Sequence, residues 1–90
     1  MTTRSVRVPN RLGFHARAAA RFVRAATQFE SQIDVAKDGR RMDGKSIMGL
    51  LLLAAAQGVV LTIRAHGRDE EDAVDTLCQL VESGFGEGRA

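Results

Sequence analysis

The sequence predicts an α+β domain in which three helices cover one face of a four-stranded sheet. Two periodicities lead to this fold class: segments of alternating apolar and polar residues, typical of half-buried strands, are interleaved with segments whose apolar residues recur at helical spacing. The segments follow the order β-α-β-β-α-β-α, and the alternation leaves the second sheet face open to water. With 90 residues, the chain is expected to form a single domain, 1–90, whose glycine-rich residues 82–90 form a flexible tail.

The first half of the chain contains three of the strands and the first helix. The strands are predicted over residues 4–8, Gln32–Lys37 and Arg40–Asp43, and the helix over Ala16–Ala26. Asp38 and Gly39 both tolerate positive φ, so they predict a two-residue turn that joins the second and third strands into an antiparallel hairpin.

The second half places two helices around the fourth strand. Ser46 is a favourable N-cap for a helix over residues 47–56, and Gly58 is a favourable residue just past its end. A strand over residues 59–65 follows, and Asp69 is predicted to cap the last helix. The buried stripe of that helix is predicted to consist of Val74, Leu77, Cys78 and Val81.

The loop that leads into the first helix carries the candidate chemistry. Gly13 lets the chain bend, and His15 then lies at the N-cap, where the first backbone N–H groups have no partner within the helix. An anion beside His15 would meet the N–H groups of Ala16 and Arg17 and the positive pole of the helix dipole. The guanidinium of Arg17 can also bind phosphate oxygens. These residues point to a phosphate held on, or bound by, histidine; the alternative is a histidine that only caps the helix.

Charge and hydropathy together indicate a partner surface. The first 29 residues contain six arginines and no acidic residue, and Arg21 and Arg24 follow Arg17 at helical spacing on the face that begins at His15. The segment 47–56 is apolar on every side, so part of it is expected to remain exposed for a partner. The candidates for this exposure are Ile47, Met48, Leu51 and Leu52.

Several classes of protein are disfavoured. The longest apolar run, residues 47–56, has about half of the roughly 20 residues that a membrane span needs. No signal peptide is visible before the first strand, so we expect a cytoplasmic protein without membrane insertion. Cys78 is the only cysteine, and we expect no disulfide, no metal and no cofactor. The lack of Trp, Tyr and a known binding motif argues against nucleic acid.

One string of residues suggests a different function. Residues 39–46, Gly-Arg-Arg-Met-Asp-Gly-Lys-Ser, match the phosphate-binding pattern G-x-x-x-x-G-K-[ST] of nucleotide-binding enzymes. A P-loop lies in a parallel sheet built with crossover helices, whereas Gly39 is predicted to occupy a hairpin turn. No apolar strand ends in an aspartate that could hold magnesium. Nucleotide binding therefore remains only as a third candidate function, which rests on this string alone.

Residues 13–19, Gly-Phe-His-Ala-Arg-Ala-Ala, and residues 45–50, Lys-Ser-Ile-Met-Gly-Leu, stand out as motifs. The first is similar to the active-site motif of the HPr family, the histidine-containing phosphocarriers of the phosphoenolpyruvate-dependent phosphotransferase system. The second is similar to that family's regulatory serine segment. Both motifs occur at the family's spacing and in its order of elements, and the resemblance extends from Arg4 to about Phe85.

The resemblance implies an open-faced sandwich with an antiparallel sheet in the order 1-4-2-3. It implies that His15 is phosphorylated on Nδ1 by Enzyme I, which draws on phosphoenolpyruvate, and that His15 then passes the group to a IIA protein or domain. Arg17 matches the arginine that steadies the phosphoryl group, and Ser46 matches the site used by HPr kinase/phosphorylase. The positions that match the partner-docking patch are Ile47, Met48 and Leu51. We therefore expect a monomeric relay protein and not an enzyme.

The chain departs from the family at Ala18, where proline is usual, and at Thr27, where a basic residue is frequent. Alanine can adopt the conformation that proline pre-sets in a first helical turn, so we expect a looser helix start and no loss of function. A regulatory HPr-like module that acts through partner docking is the alternative function. The sequence does not distinguish a sugar-transport branch from a nitrogen-related branch.

Overall fold

The computed structural model describes residues 1–86 and contains four strands and three helices. In chain order these are β1 (Thr2–Arg7), α1 (Ala16–Ala26), β2 (Gln32–Lys37), β3 (Arg40–Asp43), α2 (Ile47–Leu53), β4 (Val60–His66) and α3 (Glu70–Glu82). The strands form one antiparallel sheet in the order β1-β4-β2-β3. The predicted α+β fold is confirmed, as is the strand order that the family resemblance implied.

The core lies between the helices and one face of the sheet. Alternate residues along the strands are buried, as the period of two in a pleated strand requires. The strand side chains in the core include Val6, Ile33, Val35, Leu61 and Ile63. The helices contribute Phe22, Leu50, Leu53, Val74 and Leu77. Each such side chain contributes about 1.5–3 kcal/mol when it is fully buried, so this layer is the main stabilising element of the fold.

The hairpin between β2 and β3 has the predicted turn. Asp38 (φ 51°) and Gly39 (φ 82°) both have positive φ, and Lys37 lies opposite Arg40 in the antiparallel register. The P-loop string therefore begins in a tight turn between antiparallel strands, a position that cannot cradle a nucleotide phosphate in the way of a P-loop.

The end of α2 differs from the prediction. The helix ends at Leu53, and Ala54 adopts the left-handed conformation at φ 52° and ψ 47°. Gly58 does not terminate the helix: it lies in the turn before β4, where its N–H donates to the carbonyl of Val8 at 2.8 Å. The high helix propensity of the alanines after Leu53 is overridden because other parts of the chain bind the carbonyls there, as described below.

Asp69 lies at the N-cap of α3, but the predicted cap hydrogen bond is absent. The carboxylate instead accepts hydrogen bonds from the N–H of Glu30 (2.9 Å), the N–H of Ser31 (3.0 Å) and the hydroxyl of Ser31 (2.5 Å). The Ser31 hydroxyl, followed by the Glu30 N–H, lowers the pKa of Asp69 below its usual range. Asp69 thus fastens the loop between α1 and β2 to the start of α3.

The start of the expected flexible tail is packed. Phe85 is fully buried, and its ring centroid lies 4.9 Å from that of Phe14. The guanidinium of Arg21 donates a hydrogen bond to the Phe85 carbonyl. The segment predicted as a tail thus begins with the last residue of α3, Glu82, and contains a buried aromatic residue, Phe85, which its glycine-rich composition did not reveal. Residues 87–90 lie outside the described part of the chain.

Candidate functional site

His15 lies at the N-cap of α1 in an extended conformation, with its side chain half-exposed. Its Nδ1 accepts a hydrogen bond from the backbone N–H of Arg17 at 3.2 Å. An imidazole nitrogen that accepts a hydrogen bond carries no proton, so in this arrangement Nδ1 presents the lone pair and Nε2 the hydrogen. The N-cap position of His15 that the sequence predicts is confirmed.

The start of α1 is suited to an anion. The first turn contains no acidic residue, and both Ala16 and Arg17 are exposed. The backbone N–H groups of a first helical turn lack partners within the helix, and the dipole of this 11-residue helix has its positive end there. A negative group attached to Nδ1 of His15 would therefore lie among favourable partial charges.

The loop before His15 is held by its own backbone. Asn10 is buried; its Nδ2 donates to the carbonyl of Gly13 at 2.9 Å, and the Gly13 N–H donates back to the Asn10 carbonyl at 3.1 Å. The N–H of Phe14 donates to the carbonyl of Ala55 at 2.8 Å. Gly13 has φ 65°, and a Cβ there would stand 2.5 Å from the Ala55 oxygen. Only glycine therefore fits this close approach between the His15 loop and the chain after α2.

Aromatic packing in the core also holds the loop before His15 in place. Phe14 is buried, with its ring centroid 5.4 Å from that of Phe22 in an edge-on contact and 4.9 Å from that of Phe85. Aromatic pairs of this kind contribute about 0.5–1.5 kcal/mol beyond the area that they bury. The residue next to His15 is thus anchored to α1 and to the segment after α3.

The left-handed turn after α2 is bound by a lysine from β2. The Nζ of Lys37 donates to the carbonyls of Leu53 (3.0 Å) and Ala54 (3.2 Å). A left-handed conformation costs a residue with a Cβ roughly 1–2 kcal/mol. The charge-assisted hydrogen bonds from Lys37 offset that cost and satisfy carbonyls at the helix end that have no partner within the helix.

The predicted arginine face is divided by the fold. Arg17 and Arg24 are exposed, and Arg24 lies in the last turn of α1. Arg21 is half-buried, and it donates a hydrogen bond to the Phe85 carbonyl, which links α1 to the segment after α3. Arg17 and Arg24 are therefore the arginines of this face that present their charge to solvent.

The exposed apolar residues of α2 form a patch, here called the α2 patch, of Ile47, Met48 and Leu52, which are 42%, 69% and 56% exposed. Leu51, one of the predicted docking residues, is half-buried and packs against the core. Ser46 begins this helix, and its Oγ accepts a hydrogen bond from the N–H of Gly49 at 3.0 Å. The predicted N-cap role of Ser46 is confirmed.

The sequence analysis assigns no role in the site to four of its contributors: Asn10, Lys37, Ala55 and Phe85. The sequence contains a signal for two of them. Asn10 follows a proline, and asparagine in a turn often forms hydrogen bonds with nearby backbone; Phe85 is a large apolar residue in a polar segment, and such residues are often buried. Ala55 contributes only its carbonyl, and Lys37 acts on a helix distant in sequence. Neither Ala55 nor Lys37 therefore shows its role in the pattern of residues around it in the sequence.

Within residues 1–86, no helix is long and apolar enough to cross a membrane. The same residues contain no group of three or more His, Cys, Asp or Glu side chains that could hold a metal ion.

Comparison with known proteins agrees with this geometry. The family profile described as the PTS HPr component phosphorylation site matches residues 2–83. The phosphocarrier protein HPr of Neisseria meningitidis serogroup A is 46% identical over 88 residues, which are 98% of this chain and 99% of that protein.

Solved structures are equally similar. HPr-C-His from Thermoanaerobacter tengcongensis has a TM-score of 0.93 and 46% identity, and the match covers 97% of this chain and 98% of that one. An HPr dimer from the same organism has a TM-score of 0.77 and 46% identity over 97% and 100% of the two chains. This chain belongs to the HPr family of the phosphotransferase system.

Proposed function

We propose that this protein is a phosphocarrier in which Nδ1 of His15 accepts a phosphoryl group from Enzyme I and donates it to a IIA protein or domain. The observation that carries the proposal is the 3.2 Å hydrogen bond from the Arg17 N–H to Nδ1, at the start of α1. Because Nδ1 accepts this hydrogen bond, it is the unprotonated ring nitrogen, and its lone pair faces the anion-binding end of the helix.

The transfer needs little covalent chemistry from the carrier. The lone pair of Nδ1 forms the new N–P bond while the donor's bond to phosphorus breaks and its electron pair leaves with the donor. The ring keeps its Nε2 proton in this step and is cationic until that proton passes to solvent. Delivery to the acceptor reverses the bond changes at Nδ1.

The helix start then holds the product. Phosphorylation of Nδ1 displaces the hydrogen bond from the Arg17 N–H, which can donate instead to a phosphoryl oxygen, as can the N–H of Ala16. The exposed guanidinium of Arg17 adds a positive charge that can bind the phosphoryl oxygens. Each well-formed charge-assisted hydrogen bond contributes about 1.5–3 kcal/mol, enough to hold the group without trapping it.

Partner proteins would dock on the α2 patch. Its apolar side chains are exposed on a helix whose following turn contacts the His15 loop through the Phe14–Ala55 hydrogen bond. Arg17 and Arg24 add positive charge, suited to an acidic rim on the partner. In this role the protein is a relay and not an enzyme, and we expect it to act as a cytoplasmic monomer.

Incubation with Enzyme I and phosphoenolpyruvate, followed by intact-mass analysis, tests the proposal. We expect one phosphoryl group that is lost in mild acid, because phosphohistidine is acid-labile and phosphoserine is not. His15→Ala should accept none, and Arg17→Ala should accept the group more slowly while keeping the wild-type circular dichroism spectrum.

Labelling of His15→Ala at the wild-type rate would place the phosphoryl group on another residue. An unlabelled wild type, with an Enzyme I shown to be active on another carrier, would favour the regulatory module instead. A sedimentation experiment on the same preparation measures the oligomeric state.

A further inference from the structure

We infer that Lys37 is a positioning residue for His15, which acts through the left-handed turn that follows α2. The inference rests on the proposed function, because it concerns the rate at which His15 accepts the phosphoryl group. Lys37 is the last residue of β2 and does not belong to the His15 loop or to the α2 patch.

The first step is the contact between Lys37 and α2. The Nζ of Lys37 lies 3.0 Å from the carbonyl oxygen of Leu53 and 3.2 Å from that of Ala54. The last turn of α2 contains no basic residue of its own. The positive charge that complements the carbonyl end of this helix therefore comes from β2.

The second step is the conformation that this contact maintains. Ala54 is left-handed at φ 52°, where an alanine is strained, and the helix stops there although alanines continue to residue 56. Without the ammonium of Lys37, the carbonyls of Leu53 and Ala54 would gain by bonding in a continued helical turn or to water. Either change moves the carbonyl of Ala55, the next residue.

The third step connects that carbonyl to the imidazole. The Phe14 N–H donates to the Ala55 carbonyl at 2.8 Å, and the space around this bond is so small that a Cβ on Gly13 would stand 2.5 Å from the same oxygen. His15 is the next residue after Phe14. A shift of the Ala55 carbonyl is thus transmitted over one residue to the backbone of His15.

Lys37 is itself held firmly enough for this role. It lies opposite Arg40 in the hairpin register, next to the tight turn of Asp38 and Gly39, so its backbone is fixed by the sheet. Arg40 carries the same charge in the same hairpin but is exposed. Arg40 therefore supplies a matched control for the loss of one positive charge.

The experiment compares Lys37→Met, Lys37→Arg and Arg40→Met with the wild type. Phe14 amide exchange, followed by NMR, reports on the bond to Ala55, and steady-state phosphorylation by Enzyme I separates kcat from KM. For Lys37→Met we expect amide exchange about 10-fold faster and kcat about 5-fold lower, with KM changed less than twofold, because the loss affects positioning and not docking.

Lys37→Arg keeps a donor with a positive charge and should recover at least half of the wild-type kcat. Arg40→Met should match the wild type in both measurements. Lys37→Gln, which keeps a shorter neutral donor, serves as a second variant where Lys37→Met is not folded at the assay temperature, and it should lie between the wild type and Lys37→Met.

A kcat of Lys37→Met or Lys37→Gln equal to that of Arg40→Met would overturn the inference alone. If Phe14 exchange were nevertheless faster in that variant, Lys37 would have a purely structural role. A wild type that accepts no phosphoryl group from an active Enzyme I would instead overturn the proposed function, and the inference with it.

Discussion

At the scale of single residues, the placement of the imidazole depends on small backbone features. Gly13 was predicted as a bend before the helix, and its φ of 65° agrees with that role. The stronger constraint is steric, because the Ala55 carbonyl fills the space where a side chain would lie. This contact joins residues that are far apart in the sequence, so no local pattern could predict it.

Gly13→Ala tests this constraint, with Gly39→Ala as the control. Gly39 has φ 82°, but apart from its two chain neighbours no described residue has an atom within 4 Å of where a Cβ would lie, so its substitution measures backbone strain alone. We expect Gly39→Ala to cost about 1 kcal/mol of unfolding free energy and Gly13→Ala roughly 2–4 kcal/mol, since the clash adds to the strain. Urea denaturation gives both values.

Phosphorylation of the two glycine variants separates stability from positioning. Gly13→Ala should be phosphorylated more slowly at a temperature where it is fully folded, and Gly39→Ala should match the wild type. Equal destabilisation of the two variants, with equal rates, would mean that the His15 loop tolerates a side chain at residue 13.

At the scale of helices and strands, local signals were sufficient where local contacts decide the structure. The bounds of α1, β2 and β3 agree with those predicted, because alternation, helical periodicity and the Asp38-Gly39 turn act over neighbouring residues. The strands β1 and β4 were displaced by one or two residues. The end of α2 was missed by three residues, because Lys37 and Phe14 bind it from elsewhere in the chain.

The same helix gives a prediction about regulation. Ser46 caps α2 and precedes two exposed residues of the α2 patch, Ile47 and Met48. A phosphate on Ser46 would add about −1.5 to −2 charges beside apolar side chains that we propose to dock partners. Ser46→Asp, which keeps a favourable N-cap but adds a charge, should therefore bind Enzyme I more weakly than the wild type, by about 10-fold.

The matched control is Thr76→Asp, which adds the same charge at an exposed position of α3. Titration calorimetry with Enzyme I should give the wild-type affinity for Thr76→Asp. A Ser46→Asp variant that binds as tightly as Thr76→Asp would argue against charge at Ser46 as a means of controlling docking.

At the scale of the whole molecule, the start of α3 gathers distant segments. Asp69 binds the loop at residues 30–31, and Glu70 accepts hydrogen bonds from the Thr2 hydroxyl (2.7 Å) and the Gly67 N–H (3.1 Å). The amino group of Met1 lies 2.9 Å from the Glu70 carboxylate. The sequence predicts Asp69 as the cap of this helix, but residues 1–2 and 30–31, which Asp69 and Glu70 bind, are too distant in the chain to be predicted as their partners.

These contacts predict a loss of stability in acid. The Thr2 hydroxyl, with the N-terminal amino group and the Gly67 N–H, lowers the pKa of Glu70 from 4.5 to about 2 in the folded protein. A carboxyl group whose pKa is depressed by folding stabilises the fold above its unfolded pKa and loses that contribution as the pH falls. The contribution of Glu70 should therefore be present above pH 4.5 and decline towards pH 2.

Urea denaturation from pH 6 to about pH 2 measures this decline. Glu70→Gln should be less stable than the wild type at pH 6 and should converge with it at the acid end. Glu71→Gln, at the exposed neighbouring position, should follow the wild-type curve in parallel. A constant difference between Glu70→Gln and the wild type over the whole range would contradict the assignment.

The strand order also determines when the proposed phosphate site around His15 can form during folding. β1 is synthesised before the other described strands, yet its sheet partner among them is β4, with Thr2 opposite Ala65. The chain between them must close a long loop, which costs conformational entropy, before the hydrogen bonds of this pairing can form. Such non-local pairing is slow. The loop after β1 then needs Ala55 and Phe85 in place. We therefore expect a nascent chain to position His15 only after Phe85 has left the ribosome.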